Sequence, residues 1–136
     1  MLDALPYYNA LAKKGERAKY TAKSLKSKLR EDNYSVLVAK DGSGLLGFAI
    51  SHLDDYLVWL DWFMVDPKAR RKGIGSALLH AMMETAPRRG AHKVWCDCRT
   101  DNEASKAILK RNGFARIAEV RNHWYGQDFI LWERPV

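Results

Sequence analysis

VDPKARRKGIGSALL, Val65 to Leu79, sets four cations and two glycines between an apolar run and the opening turns of a helix. Glycines spaced by one residue, directly after a strand and at a helix N-terminus, let successive backbone N–H groups turn inward onto one oxygen-rich group. The helix dipole adds partial positive charge at the same place. Such a nest suits a pyrophosphate. What is missing narrows the choice of ligand. A Walker loop needs Gly-Lys-Ser/Thr at its end, whereas Gly75 is followed by Ser76 and Ala77, which argues against a nucleoside triphosphatase. The dinucleotide fingerprint needs a third small residue where this chain carries Leu78, so that fold is disfavoured as well.

Upstream, YLVWLDWFMV (Tyr56 to Val65) is apolar on both parities and reads as a central strand covered on both faces. Its single charge is Asp61. Downstream, a helix from Gly75 to Ala86 stacks Leu78 over Met82 and Leu79 over Met83, and Pro87 closes it. KVWCDC (Lys93 to Cys98) should then pair parallel to the preceding strand through a right-handed crossover. TDNEASKAILKRNGF continues as a helix capped by Asp101 or Asn102, with Ala104, Ala107, Ile108 and Arg111 along one side and Gly113 as its left-handed stop.

Before the central strand, Tyr34 to Ala39 and Leu45 to Leu53 form a hairpin about the Asp41 to Gly44 turn. Two short helices precede it. One is capped by Asp3, shows Leu5, Tyr8, Leu11 and Ala12 on a face and ends at Gly15; the other runs from Ser24 to Arg30. Two closing strands, Ala115 to Val120 and Asp128 to Trp132, complete the chain. The expectation is an α/β (α+β) fold: a mixed, mostly antiparallel sheet with a central parallel pair and helices on both faces.

The 136 residues, 47% of them hydrophobic, suit one domain spanning residues 1–136. A formal charge of +7 and a pI near 9.5 favour anionic partners. The lysines from Lys13 to Lys28 are spread around two short helices without a recognition motif, which does not describe a specific nucleic-acid reader. Cys96 and Cys98 stand one residue apart in a strand, poorly placed for a disulfide, and suggest a reducing, cytoplasmic setting. His92 alone makes no metal site. The first residues do not read as a signal peptide, and no run reaches the ~20 apolar residues that span a bilayer, so no membrane association is expected.

Arg70-Arg71-Lys72-Gly73-Ile74-Gly75, following Val65-Asp66-Pro67, resembles the acetyl-CoA loop of the GNAT (Gcn5-related N-acetyltransferase) superfamily, Arg/Gln-x-x-Gly-x-Gly/Ala. Asn102, Ala107 and Gly113-Phe114 match a second hallmark of that superfamily, and the motifs come nearest to its ribosomal-protein alanine acetyltransferase branch. The resemblance covers roughly Ser24 to Glu133 and implies acetyl-CoA as acyl donor and an amine as acceptor. It implies that the backbone of Phe63, Met64 and Val65 bonds the pantetheine arm and that N–H groups from Arg71 to Ser76, flanked by Arg70, hold the pyrophosphate. Asn102 would contact the arm from the other wall, beside Leu109. A splay between the two parallel strands would admit the thioester. The family's opening edge strand finds no match in Met1 to Tyr7, which leaves a sheet edge that a second copy, as a homodimer, could cover.

Acetyl transfer needs a neutral amine, although a free lysine titrates near ~10.4 and an α-amine near ~8. Asp61, in its apolar strand, is one candidate base, since burial makes a carboxylate a better proton acceptor. Asp97 is the other, at the position where the alanine acetyltransferase branch carries its catalytic glutamate. The family's usual acid, a tyrosine four residues before Gly-Phe, is replaced by Leu109; Tyr125 could stand in. Trp59, Trp62, Trp124 and Tyr125 could line an acceptor pocket, with His52 and His123 at its rim. A catalytically idle acyl-CoA-binding module and a basic nucleic-acid-binding domain are the competing readings.

Overall fold

The computed structural model describes residues 8–136. Asp3 and Leu5, and the question of an opening strand in Met1 to Tyr7, fall outside that range. The elements are α1 (Ala10–Lys19), α2 (Ala22–Lys28), β1 (Tyr34–Asp41), β2 (Gly44–Asp54), β3 (Leu57–Val65), α3 (Ile74–Thr85), β4 (Lys93–Arg99), α4 (Glu103–Arg111), β5 (Ala115–Val120) and β6 (Phe129–Pro135). The strands form one sheet in the order β1-β2-β3-β4-β6-β5. Among the described residues only β3 and β4 pair parallel, joined by α3 as crossover, as the pattern predicted.

The caps explain the helix starts. Asn9 Oδ1 accepts from Ala12 N at 2.8 Å, Thr21 Oγ1 from Ser24 N at 3.1 Å, and Asn102 Oδ1 from Ser105 N at 3.1 Å. α1 does not stop at Gly15 but runs four residues past it. That glycine answers to a tertiary contact: a Cβ there would lie 2.5 Å from the Tyr125 ring. The local cost of about 1 kcal/mol for glycine within a helix is accepted so that Tyr125 can approach.

Along β4, Val94, Cys96 and Cys98 are buried while Trp95 and Asp97 alternate onto the opposite, half-buried face. The buried side meets Leu79, Met82 and Met83 of α3, Leu109 of α4, and Phe114, Ile130 and Trp132. Both cysteines are free, and Trp132 Nε1 donates to Cys98 Sγ at 3.2 Å. α4 therefore presents Leu109 and Ile108 to the core; of the four residues expected along one side of it, Ala104, Ala107 and Arg111 are exposed. Leucine and isoleucine bury far more apolar area than alanine, and that area sets the rotation of the helix.

Candidate active site

The parallel ladder between β3 and β4 is short. It pairs Leu57 with Lys93, Val58 with Val94, Trp59 with Trp95 and Leu60 with Cys96, and then ends. β3 runs on to Val65 and β4 to Arg99 without further mutual pairing, so the two strands part at Asp61 and Asp97. The cause is visible on the other side of β3. Ile50 pairs with Trp62 but Ser51 with Leu60, so Asp61 is the extra residue of a β-bulge. A bulge bends its strand and re-aims side chains. Here Trp59, Asp61 and Trp62 all reach one cavity.

That cavity, about 240 Å³, is lined by Tyr8, Glu16 and Lys19 as well as Trp59, Asp61, Trp62, Asp97, Trp124, Tyr125 and Phe129. The four aromatic residues expected to share a pocket are thus brought together, with both candidate aspartates. His52 Nδ1 lies 2.7 Å from Asp61 Oδ2, and the Asp61 side chain is 10% exposed. The His52 ring also rests against Tyr34, 5.4 Å between centroids. Trp124 Nε1 donates to Asp97 Oδ2 at 2.8 Å. Burial raises the Asp97 carboxyl above the ordinary aspartate range, and the Trp124 hydrogen bond only partly offsets it. His123 lies beside this pair, its ring 4.6 Å from that of Trp124.

Tyr125 has φ 56° and its hydroxyl donates to Glu16 Oε1 at 3.0 Å. Its proton is therefore already engaged, which weighs against its serving as the acid that Leu109 lacks. Burial and that bond both raise its phenol. Leu109 is 4% exposed and sits in the core, away from the cavity lining. Asn102 is at the junction of β4 and α4, where its side-chain oxygen caps the helix.

At the neighbouring loop, Arg71 and Gly73 take positive φ, 61° and 76°. No side chain caps α3, and its first N–H bond is Ala77 to Gly73 O, 2.9 Å. The N–H groups of Ile74, Gly75 and Ser76 precede that bond and are open to a ligand. A Cβ on Gly73 would meet nothing within 4 Å, so its conformation and not its size calls for glycine. Gly75 differs: a Cβ would lie 2.5 Å from Ile108 Cδ1 and 3.3 Å from Phe63 Cζ, so it serves the close approach of α3 to α4 and β3. Asn112 Nδ2 donates to Ser76 Oγ at 3.1 Å and ties the same two helices. With Arg70, Arg71 and Lys72 exposed beside them, these groups could hold a pyrophosphate. Among the described residues no group of three or more His, Cys, Asp or Glu is placed to bind a metal ion, and no helix is long and apolar enough to cross a membrane.

Glu16, Lys19, Tyr8 and Phe129, and the His52 to Asp61 contact, were not foreseen. Glu16 meets Tyr125 from 109 residues away, and its only local signals were a glycine inside a lysine-rich helix and a carboxylate one turn after Ala12.

A family model described as acetyltransferase (GNAT) family matches residues 3–114. The ribosomal protein bS18-alanine N-acetyltransferase of Escherichia coli K12 is 31% identical over 77 residues, 53% of this chain and 51% of that enzyme. The aminoglycoside N(6')-acetyltransferase type 1 of Klebsiella aerogenes is 34% identical over 94 residues, 63% of this chain and 61% of its own. The chain thus spans about half to three fifths of the length of these relatives. In three dimensions it resembles the crystal structure of the Escherichia coli ribosomal-protein-S18-alanine N-acetyltransferase, with TM-score 0.74, 26% identity and coverage of 86% of this chain and 77% of that one. A Bacillus subtilis acetyltransferase solved in complex with CoA shares the fold at TM-score 0.72 and 15% identity, covering 85% and 84% of the two chains.

Proposed function

The chain belongs to the acetyltransferase (GNAT) family, and on that premise we propose that it moves an acetyl group from acetyl-CoA to a primary amine by direct attack within a ternary complex. The observation that carries this reading is the end of the β3–β4 ladder at Leu60 and Cys96. The gap opens beside an uncapped helix N-terminus on one side and a carboxylate-bearing cavity on the other. The β4-facing edge of Asp61 to Val65 has no ladder partner, so the backbone of Phe63, Met64 and Val65 is available to hold an extended arm as a further strand would. N–H groups of Arg71, Lys72, Gly73, Ile74, Gly75 and Ser76 hold the pyrophosphate, with Arg70 supplying charge nearby. Asn102 and Leu109 stand behind the arm as the α4 wall. Bound acetyl-CoA supplies an acyl carbon activated as a thioester.

Asp97 takes the proton that makes the acceptor amine nucleophilic; its raised carboxyl brings its titration nearer the working pH. Asp61, bridged to the partly exposed His52, provides the second acceptor and a way for the proton to reach solvent. The new bond joins amine nitrogen to acyl carbon and the carbon–sulfur bond breaks; of the two protons the ammonium loses, one passes to solvent and the other balances the one gained by the departing thiolate. Water delivers that proton, since Tyr125 donates to Glu16 and Leu109 has none to give. Thiol release measured across a panel of amines and peptide N-termini, beside a calorimetric CoA titration, tests the proposal. Turnover with any amine supports it; tight CoA binding without turnover would make the chain an idle acyl-CoA-binding module.

A further inference from the structure

Glu16 is 9% exposed, on the cavity-facing side of α1. Oε1 accepts from the Tyr125 hydroxyl, while Oε2 is buried and has no hydrogen-bond partner among the described residues. A buried carboxyl oxygen left unpaired is costly, and native structures keep one for a water or ion, for stored strain or for a catalytic role. The construction around it is specific. Gly15 removes the side chain that would strike the Tyr125 ring, and Tyr125 adopts a left-handed backbone, φ 56°, while its carbonyl accepts from Asn9 Nδ2 at 3.3 Å.

The cavity also departs from the charge of the molecule. The chain carries a formal +7, yet the cavity is lined by three carboxyl groups, Glu16, Asp61 and Asp97, against one ammonium, Lys19. Lys19 is exposed, with its Nζ 5.2 Å from the centroid of the Tyr20 ring. Tryptophan and tyrosine rings form much of the remaining wall, a lining that attracts cations through its π faces. The cavity of about 240 Å³ is at the small end for ligand pockets, a size that suits a short aliphatic diamine or one end of a longer polyamine.

We infer that the acceptor is a small dication: one amine reacts at Asp61 and Asp97 while a second ammonium seats at the Glu16 end of the same cavity. This rests on the cavity being the acceptor site of the proposed transferase, and it names the chemistry which that site selects.

The test compares linear diamines of three to six carbons and spermidine with monoamines of equal chain length and a lysine-free peptide amide, in two readouts. Binding is followed by intrinsic tryptophan fluorescence, since Trp59, Trp62 and Trp124 line the cavity, with and without CoA; turnover is followed by thiol release. The expected result is at least a tenfold preference for the best diamine over its matched monoamine in Kd, and in kcat/KM where turnover occurs. Glu16→Gln, which keeps an acceptor for Tyr125, should bring that ratio down toward one. If no amine turns over but the Kd preference and its loss in Glu16→Gln are seen, the dication seat stands and the transferase reading falls. Equal affinity for diamine and monoamine in the unsubstituted protein, a ratio unmoved by Glu16→Gln, or a preference for the peptide would overturn the inference.

Discussion

Asp97 offers the most direct link between one side chain and a pH profile. Its carboxyl is raised by burial, so the proton-accepting form is lost at a higher pH than for an exposed aspartate near ~3.9. The acid limb of kcat/KM against pH should therefore lie above that value, and Asp97→Asn should abolish the limb and lower kcat/KM by about 10²–10⁴-fold. Stability moves the other way. A carboxyl raised in the folded state contributes stability that is fully present below the unfolded value and is lost as pH rises through the folded one. Asp97→Asn, which still accepts from Trp124, should thus have a higher Tm than the parent at pH 7, with the gain vanishing below about pH 4. A Tm difference independent of pH would show that Asp97 is not desolvated as described. Asp61→Asn should slow turnover while changing the CoA Kd little, because Asp61 faces the cavity and lies outside the phosphate loop. Both aspartates were legible in sequence as charges within apolar strands. Their partners were not, since Trp124 is 27 residues from Asp97 and His52 joins Asp61 only through the β2–β3 register.

At the scale of elements, the two loop glycines have different duties and should fail differently. Gly73→Ala meets no steric obstacle but must hold φ 76°, a left-handed strain of about 1–2 kcal/mol. The substituted loop should relax, with CoA affinity falling about tenfold and little change in packing. Gly75→Ala places a methyl 2.5 Å from Ile108 Cδ1, an overpacking cost of about 1–3 kcal/mol. Ile108→Val removes that very atom, so the double variant should regain most of the lost stability in urea denaturation. Failure of the rescue would locate the damage elsewhere. The crossover β3–α3–β4 was readable because a strand that is apolar on both parities, two glycines and four-apart leucine–methionine pairs agree locally. The end of α1 was misjudged where tertiary contact prevailed, the Tyr125 ring over Gly15.

In the whole molecule one core is coupled to one cleft. Leu79 is fully buried in the core where α3 packs on the sheet, so Leu79→Ala should cost about 2–5 kcal/mol and loosen the loop that α3 anchors. Topology was legible because each strand, turn and crossover has its own local signal; the splay was expected by resemblance, and the bulge that produces it at Asp61 has no residue signature. The central claim is that main-chain N–H groups ahead of α3 grip the CoA pyrophosphate next to that splay. Amide ¹H–¹⁵N chemical shifts recorded during an acetyl-CoA titration test it most directly. The largest perturbations should fall on Arg71 to Ser76, with a second set on Asp61 to Val65. Saturating acetyl-CoA that leaves those amides unmoved, or shifts another surface instead, would contradict the account.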